Sequence, residues 1–258
     1  MKIQFIKNFF KSTLFFVKHI VLFTVLNSVL HYLFNVFLFD VLNKTFTMKM
    51  ANFFNNDYIN PPLIFFVFLL ITKTIIKLSF YTIALNNDLE DVKNDITIYI
   101  GDFINNIYYI FMSGYAFIFI GLLACAPIIT SILYLNCCIF FMIYAVVRRK
   151  NDVGERYGPI ETISKSFTIT KNNRLKLIFV NTIITICVVF CLLYMPKEII
   201  VNKVNIHYVV QLLIFDFVMV YLLRIGFALD KIETEKIEDA RRKEMENQYN
   251  AMRARSTV

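Results

Sequence analysis

The sequence predicts an all-α fold: a polytopic transmembrane helix bundle of about six spans with both termini in the cytoplasm. Three observations predict it. Hydrophobic residues make up 58% and charged residues 18% of the 258, with a mean hydropathy of +0.60, too apolar for an ordinary soluble domain. Apolar runs at 14–39, 61–82, 104–126, 128–147, 175–195 and 207–229 each approach the ~20 residues that a helix needs to cross about 30 Å of hydrocarbon. Lys and Arg crowd onto one set of connecting segments.

The first run follows Lys2, Lys7 and Lys11. No small-residue cleavage site follows it, and Lys18 and His19 interrupt its start, so it reads as a retained first helix rather than a signal peptide. The second opens at Pro61 and Pro62. The third and fourth are parted only by the turn around Pro127; joined, they would make a helix about twice as long as a bilayer is thick. The fifth follows a basic stretch between Arg148 and Lys176, and the sixth runs into a charged tail. With the N-terminus inside, the outer loops keep only Lys44, Lys49, Lys197 and Lys203 of the 27 basic residues.

Two inner segments read as amphipathic helices on the membrane surface. Pro159 opens the clearer one, where Ile160, Ile163 and Phe167 recur opposite Glu161, Ser164, Lys165 and Thr168. Residues 88–103 form a weaker copy along Leu89, Val92, Ile96, Tyr99 and Phe103. The chain thus divides into a transmembrane domain, 1–229, and a charged cytoplasmic helical tail, 230–258. In the tail Glu238 and Arg242, and Asp239 and Lys243, stand at i,i+4. Met245, Tyr249 and Met252 give it a thin apolar edge for a second copy or a membrane-protein partner.

Composition also bounds the partners. The net charge of +8 is explained by cytoplasmic flanks, so membrane lipids and not nucleic acid are the expected partners. With 28 Phe, 14 Tyr, no Trp and abundant Ile, Asn and Lys, the usage favours AT-rich codons, which points to a bacterial source and an inner (plasma) membrane location. The five cysteines lie in apolar runs and read as small hydrophobes; Cys187 and Cys191 share a face that could approach Cys137 or Cys138, a soft-metal alternative of low weight. Asn43-Lys44-Thr45 matches a glycosylation sequon that matters only in a eukaryote.

No phosphate loop, dinucleotide fingerprint, H-E-x-x-H or C-x-x-C motif is present, so no cofactor, metal or catalytic residue is assigned and no enzyme is expected. The residues out of place are Lys73, Lys77 and Asp216. A charge near the bilayer centre costs at least ~2.5 kcal/mol, so such groups face the bundle, pair, or line a wet path. Counted from Pro61 and His207, Lys73 and Asp216 lie at similar depth, which predicts an interhelical Lys73–Asp216 pair, with Lys77 one turn deeper and snorkelling inward. Arg224 reads as a headgroup-level anchor. Asn27, His31 and Asn35 form one polar stripe suited to helix–helix hydrogen bonding.

The stretch GPIETISKSFTITKNN, Gly158 to Asn173, precedes an apolar span. With its Ser166, Phe167, Ile169 and Thr170 core, and with Tyr221-Leu222-Leu223-Arg224 near the last span's end, the chain resembles the YciC-like bacterial inner-membrane proteins and the related membrane domain of some glycerophosphodiester phosphodiesterases. The resemblance implies a six-span inner-membrane protein of unassigned activity and supplies no catalytic residues. Lys73, Lys77 and the charged tail depart from it. The expected function is a structural or lipid-linked membrane role. The alternative is a small-molecule or ion transporter or permease subunit using the Lys/Asp pair, although Pro61, Pro62, Pro127, Pro159 and Pro196 all sit at span ends, where they break no helix.

Overall fold

The computed structural model describes residues 4–34, 61–90, 96–124, 140, 142–147, 157–194, 200–201 and 204–256. Over these the chain is helical apart from one two-residue antiparallel ladder, in which Ile200–Val201 (β1) pairs with Val204–Asn205 (β2). The elements run α1 (Phe5–Lys18), α2 (Ile20–His31), α3 (Pro61–Leu89), α4 (Ile96–Ala124), a π-helical turn (Ile143–Val147), α5 (Pro159–Thr170), α6 (Arg174–Tyr194), the ladder, and α7 (Ile206–Ser256).

The first apolar run is not one straight helix. It breaks at His19, where α1 and α2 meet at 68°. The cause is local: the His19 ring places Nδ1 2.9 Å from the Phe15 carbonyl, beside the backbone N–H of the same residue, and this tightens and ends the turn. α1 then lies along α7, with Phe9 edge-on to Phe217 at 5.4 Å and Phe16 edge-on to it at 5.8 Å.

Helix α3 opens on Pro61 and Pro62, where a missing N–H costs nothing, and holds its shape through apolar and hydroxyl residues. Thr72, Ser79 and Thr82 each return their hydroxyl to the carbonyl four residues back, so buried polar side chains are satisfied within the helix. The helix continues past residue 82 to Leu89, and α4 begins at Ile96 and runs unbroken to Ala124. Residues 88–103 are therefore not a separate surface helix; their described parts end α3 and start α4, which merges the expected surface stripe with the third run. Gly114 explains how closely α3 and α4 pack: a Cβ there would lie 2.6 Å from Ile75. Gly226 on α7 plays the same part against Phe140 and against Ile143 at the start of the π turn.

Pro159 sits at the first position of α5, as its fixed φ favours. The face that α5 buries differs from the expected one. Ile160 is exposed, whereas Thr162, Ile163, Ser166, Ile169 and Thr170 are buried against α4, α7 and the π turn. Small hydroxyl residues let backbones approach, and Thr162, Ser166 and Thr170 satisfy their hydroxyls on the helix's own carbonyls.

Among the described residues two helical segments, 68–89 and 210–252, are long and apolar enough to cross a membrane, or three if the bent α1–α2 pair counts as one span. α6 turns Leu175, Phe179, Ile186 and Phe190 outward, and α4 does so with Tyr108 and Ile104, an apolar exterior that suits a lipid solvent. Most of the fourth run, and with it Cys125, Cys137 and Cys138, lies outside the described residues, as do Asn35 and the sequon at 43–45. α7 is 51 residues long, about 75 Å, so it runs far beyond one bilayer thickness, and from Lys236 to Met252 it is exposed. Lys236 pairs with Glu233 at 3.6 Å, and among the described residues neither of the two i,i+4 pairs expected from spacing is formed.

Candidate functional site: a buried charge row along α7

Asp216 is fully buried. One carboxylate oxygen forms an ion pair with the Lys77 ammonium from α3, and the other accepts a hydrogen bond from the Asn27 amide of α2. The partner is thus Lys77 and not Lys73, which corrects the expected pair. Counting depth from the first residue of each helix assumes that both begin in one plane; an offset or tilt of one helical turn hands the contact to the next residue on the same face. Lys77 does not snorkel either, being 5% exposed. Its ammonium lies 5.8 Å from the Tyr81 ring and 5.6 Å from that of Phe215, so its remaining surroundings are aromatic. The Tyr81 hydroxyl faces the same carboxylate without reaching hydrogen-bond geometry.

Lys73 is also buried, one turn from Lys77 and not in ion-pair contact with Asp216. His31 stands within its electrostatic range. Of the predicted polar stripe, then, Asn27 reaches Asp216 and His31 neighbours Lys73. The site holds two lysines against one carboxylate.

Eight residues on, about 12 Å along α7, Arg224 is 5% exposed and hydrogen-bonds through Nη2 to Asp88 at 3.2 Å, with Phe15 beneath its guanidinium at 5.7 Å. It is a buried partner of α3 rather than a headgroup anchor. Lys18 completes the group from the surface, 3.4 Å from the second oxygen of Asp88. Lower still, Asp230 is buried and accepts a 2.7 Å hydrogen bond from Tyr144 of the π turn. Asp88, Asp230, Tyr81 and Tyr144 were not singled out by the sequence. Asp88 and Asp230 lie where the apolar runs give way to charge, so hydropathy alone reads them as solvated.

The three buried charged residues of α7, Asp216, Arg224 and Asp230, therefore bind α2, α3, α1 and the π turn at successive levels. Among the described residues no group of three His, Cys, Asp or Glu side chains could hold a metal ion. Fold and site together define a helical protein with two or three helices able to cross a membrane and a row of charges buried between them. No protein-family model, curated protein or solved structure matches the chain.

Proposed function

We propose that the chain is a six-span protein of a bacterial inner membrane, akin to the YciC-like proteins, with both ends in the cytoplasm and a structural or lipid-linked role without catalytic chemistry of its own. The observation that carries the reading is the closure of Asp216, which has no exposed surface and is shared between Lys77 and Asn27 from two other helices. A carboxylate held this way fixes the docking of helices; a substrate or ion path needs water to reach it. α4 and α6, at 29 and 21 residues, supply further spans in this reading, with the fourth run completing the count. Reporter fusions at the N-terminus and after Ser256 test the layout: activity of a cytoplasm-only reporter at both ends agrees with it, and an outside C-terminus overturns it.

The second reading, a transporter or permease subunit, draws on Lys73. A second buried cation beside a pair that is already formed is more charge than docking requires.

A further inference from the structure

At the level where α7 passes from apolar to charged sequence, α1, α3 and α7 enclose a cleft of 580 Å³. Its apolar wall includes Leu89 and Phe227, and around it stand Lys11, Arg224 and Lys231 together with Glu90, Glu235 and Glu238. The three cations and three anions share one opening. Yet the ion pairs drawn among the described residues leave Lys11, Lys231, Glu90, Glu235 and Glu238 all unmatched. Arg224, at the buried side, gives one nitrogen to Asp88 while its Nε has no acceptor. Opposite charges that face one cavity without neutralising each other are arranged for a third party carrying both signs.

We propose that this cleft binds the headgroup of an aminophospholipid, the phosphate drawn to Lys11, Arg224 and Lys231 and the primary ammonium to Glu90, Glu235 and Glu238. The assignment rests on the reading of α7 as a span, because that places the cleft at the boundary between hydrocarbon and water. There a headgroup lies within reach while its chains follow the apolar wall toward the bilayer. An anionic headgroup without an amine satisfies the cations but meets three carboxylates; a zwitterion satisfies both sets.

The test uses the purified full-length chain in mild detergent, titrated with phosphatidylethanolamine, phosphatidylglycerol or soluble phosphoethanolamine and followed by native mass spectrometry. Phosphatidylethanolamine is retained about tenfold more tightly than phosphatidylglycerol, the scale of one charge-assisted contact. The double variant Glu235→Gln, Glu238→Gln removes that preference, and Lys11→Ala with Lys231→Ala weakens both lipids. None of these four side chains makes an ion pair, and all lie at the surface or half-buried, so the variants fold. Equal retention of the two lipids, or a preference that survives the Gln variant, overturns the proposal. Tighter binding of soluble phosphoethanolamine than of the lipid would also overturn it, giving the cleft to a soluble compound. The detergent measurement does not depend on orientation, so an outside C-terminus sinks the topology alone, and absent selectivity with both ends inside sinks the cleft alone.

Discussion

Lys77 of α3 and Asp216 of α7 form an ion pair that is closed to solvent, with Asn27 of α2 on the second carboxylate oxygen. Removing one partner of a buried pair leaves the other charge uncompensated, which costs about 3–5 kcal/mol; removing both leaves a cavity and the buried ammonium of Lys73. Asp216→Ala should lower accumulation and melting temperature more than the double variant with Lys77→Ala does, because the double strands one ammonium in place of two. Asp216→Ala should be the worse single change, because Lys73 and Lys77 then face each other without an anion. Melting curves in detergent decide it; additive losses would remove the pair from the account.

The Asp88 group separates buried from surface electrostatics on one carboxylate. Arg224→Ala strips a buried side chain and leaves Asp88 with Lys18 alone, so a loss of about 3 kcal/mol or more is expected. Lys18 is 60% exposed, and Lys18→Ala should change stability by no more than ~1 kcal/mol. Chemical denaturation of the two variants side by side checks the contrast.

Glycine substitutions probe helix contact without touching charge. Gly226→Val drives a side chain into Phe140 and Ile143 and Gly114→Val into Ile75, where overpacking costs about 1–3 kcal/mol. Gly101 has nothing within 4 Å of an added Cβ, so Gly101→Ala should be neutral or gain up to ~1 kcal/mol from helix propensity. Thermal melting of the three variants orders them.

Tyr144→Phe deletes the hydroxyl that donates to Asp230 while keeping the ring. A hydrogen bond to a charged group contributes about 1.5–3 kcal/mol, and a loss of that size is expected in the same melts. No change would mean that the other contacts of Asp230 hold it without this hydrogen bond.

Much of the architecture was legible because hydropathy and helix punctuation are local. Pro61, Pro62 and Pro159 mark helix starts, and the fifth run appears as α6 almost to the residue. Lys73, Lys77 and Asp216 were legible as exceptions to an apolar background. Which lysine met the aspartate was not, because the stagger and tilt of α3 against α7 leave no trace in either run. The bend at His19 escaped notice for a similar reason: an apolar run reads as continuous unless a proline interrupts it. On α5 the count of apolar residues favoured Ile160, but the tight contact selected small hydroxyl residues that bond back onto their own helix.

Asp216 and Lys77 form a dry interhelical lock. It is tested most directly by placing Lys77→Cys and Asp216→Cys singly in an otherwise cysteine-free chain and offering a membrane-impermeant thiol reagent to sealed and to inverted membrane vesicles. Neither thiol should react from either side while control cysteines in the polar tail do. Labelling at 77 or 216 would show water at the pair, contradict the lock, and move the protein to the transporter reading.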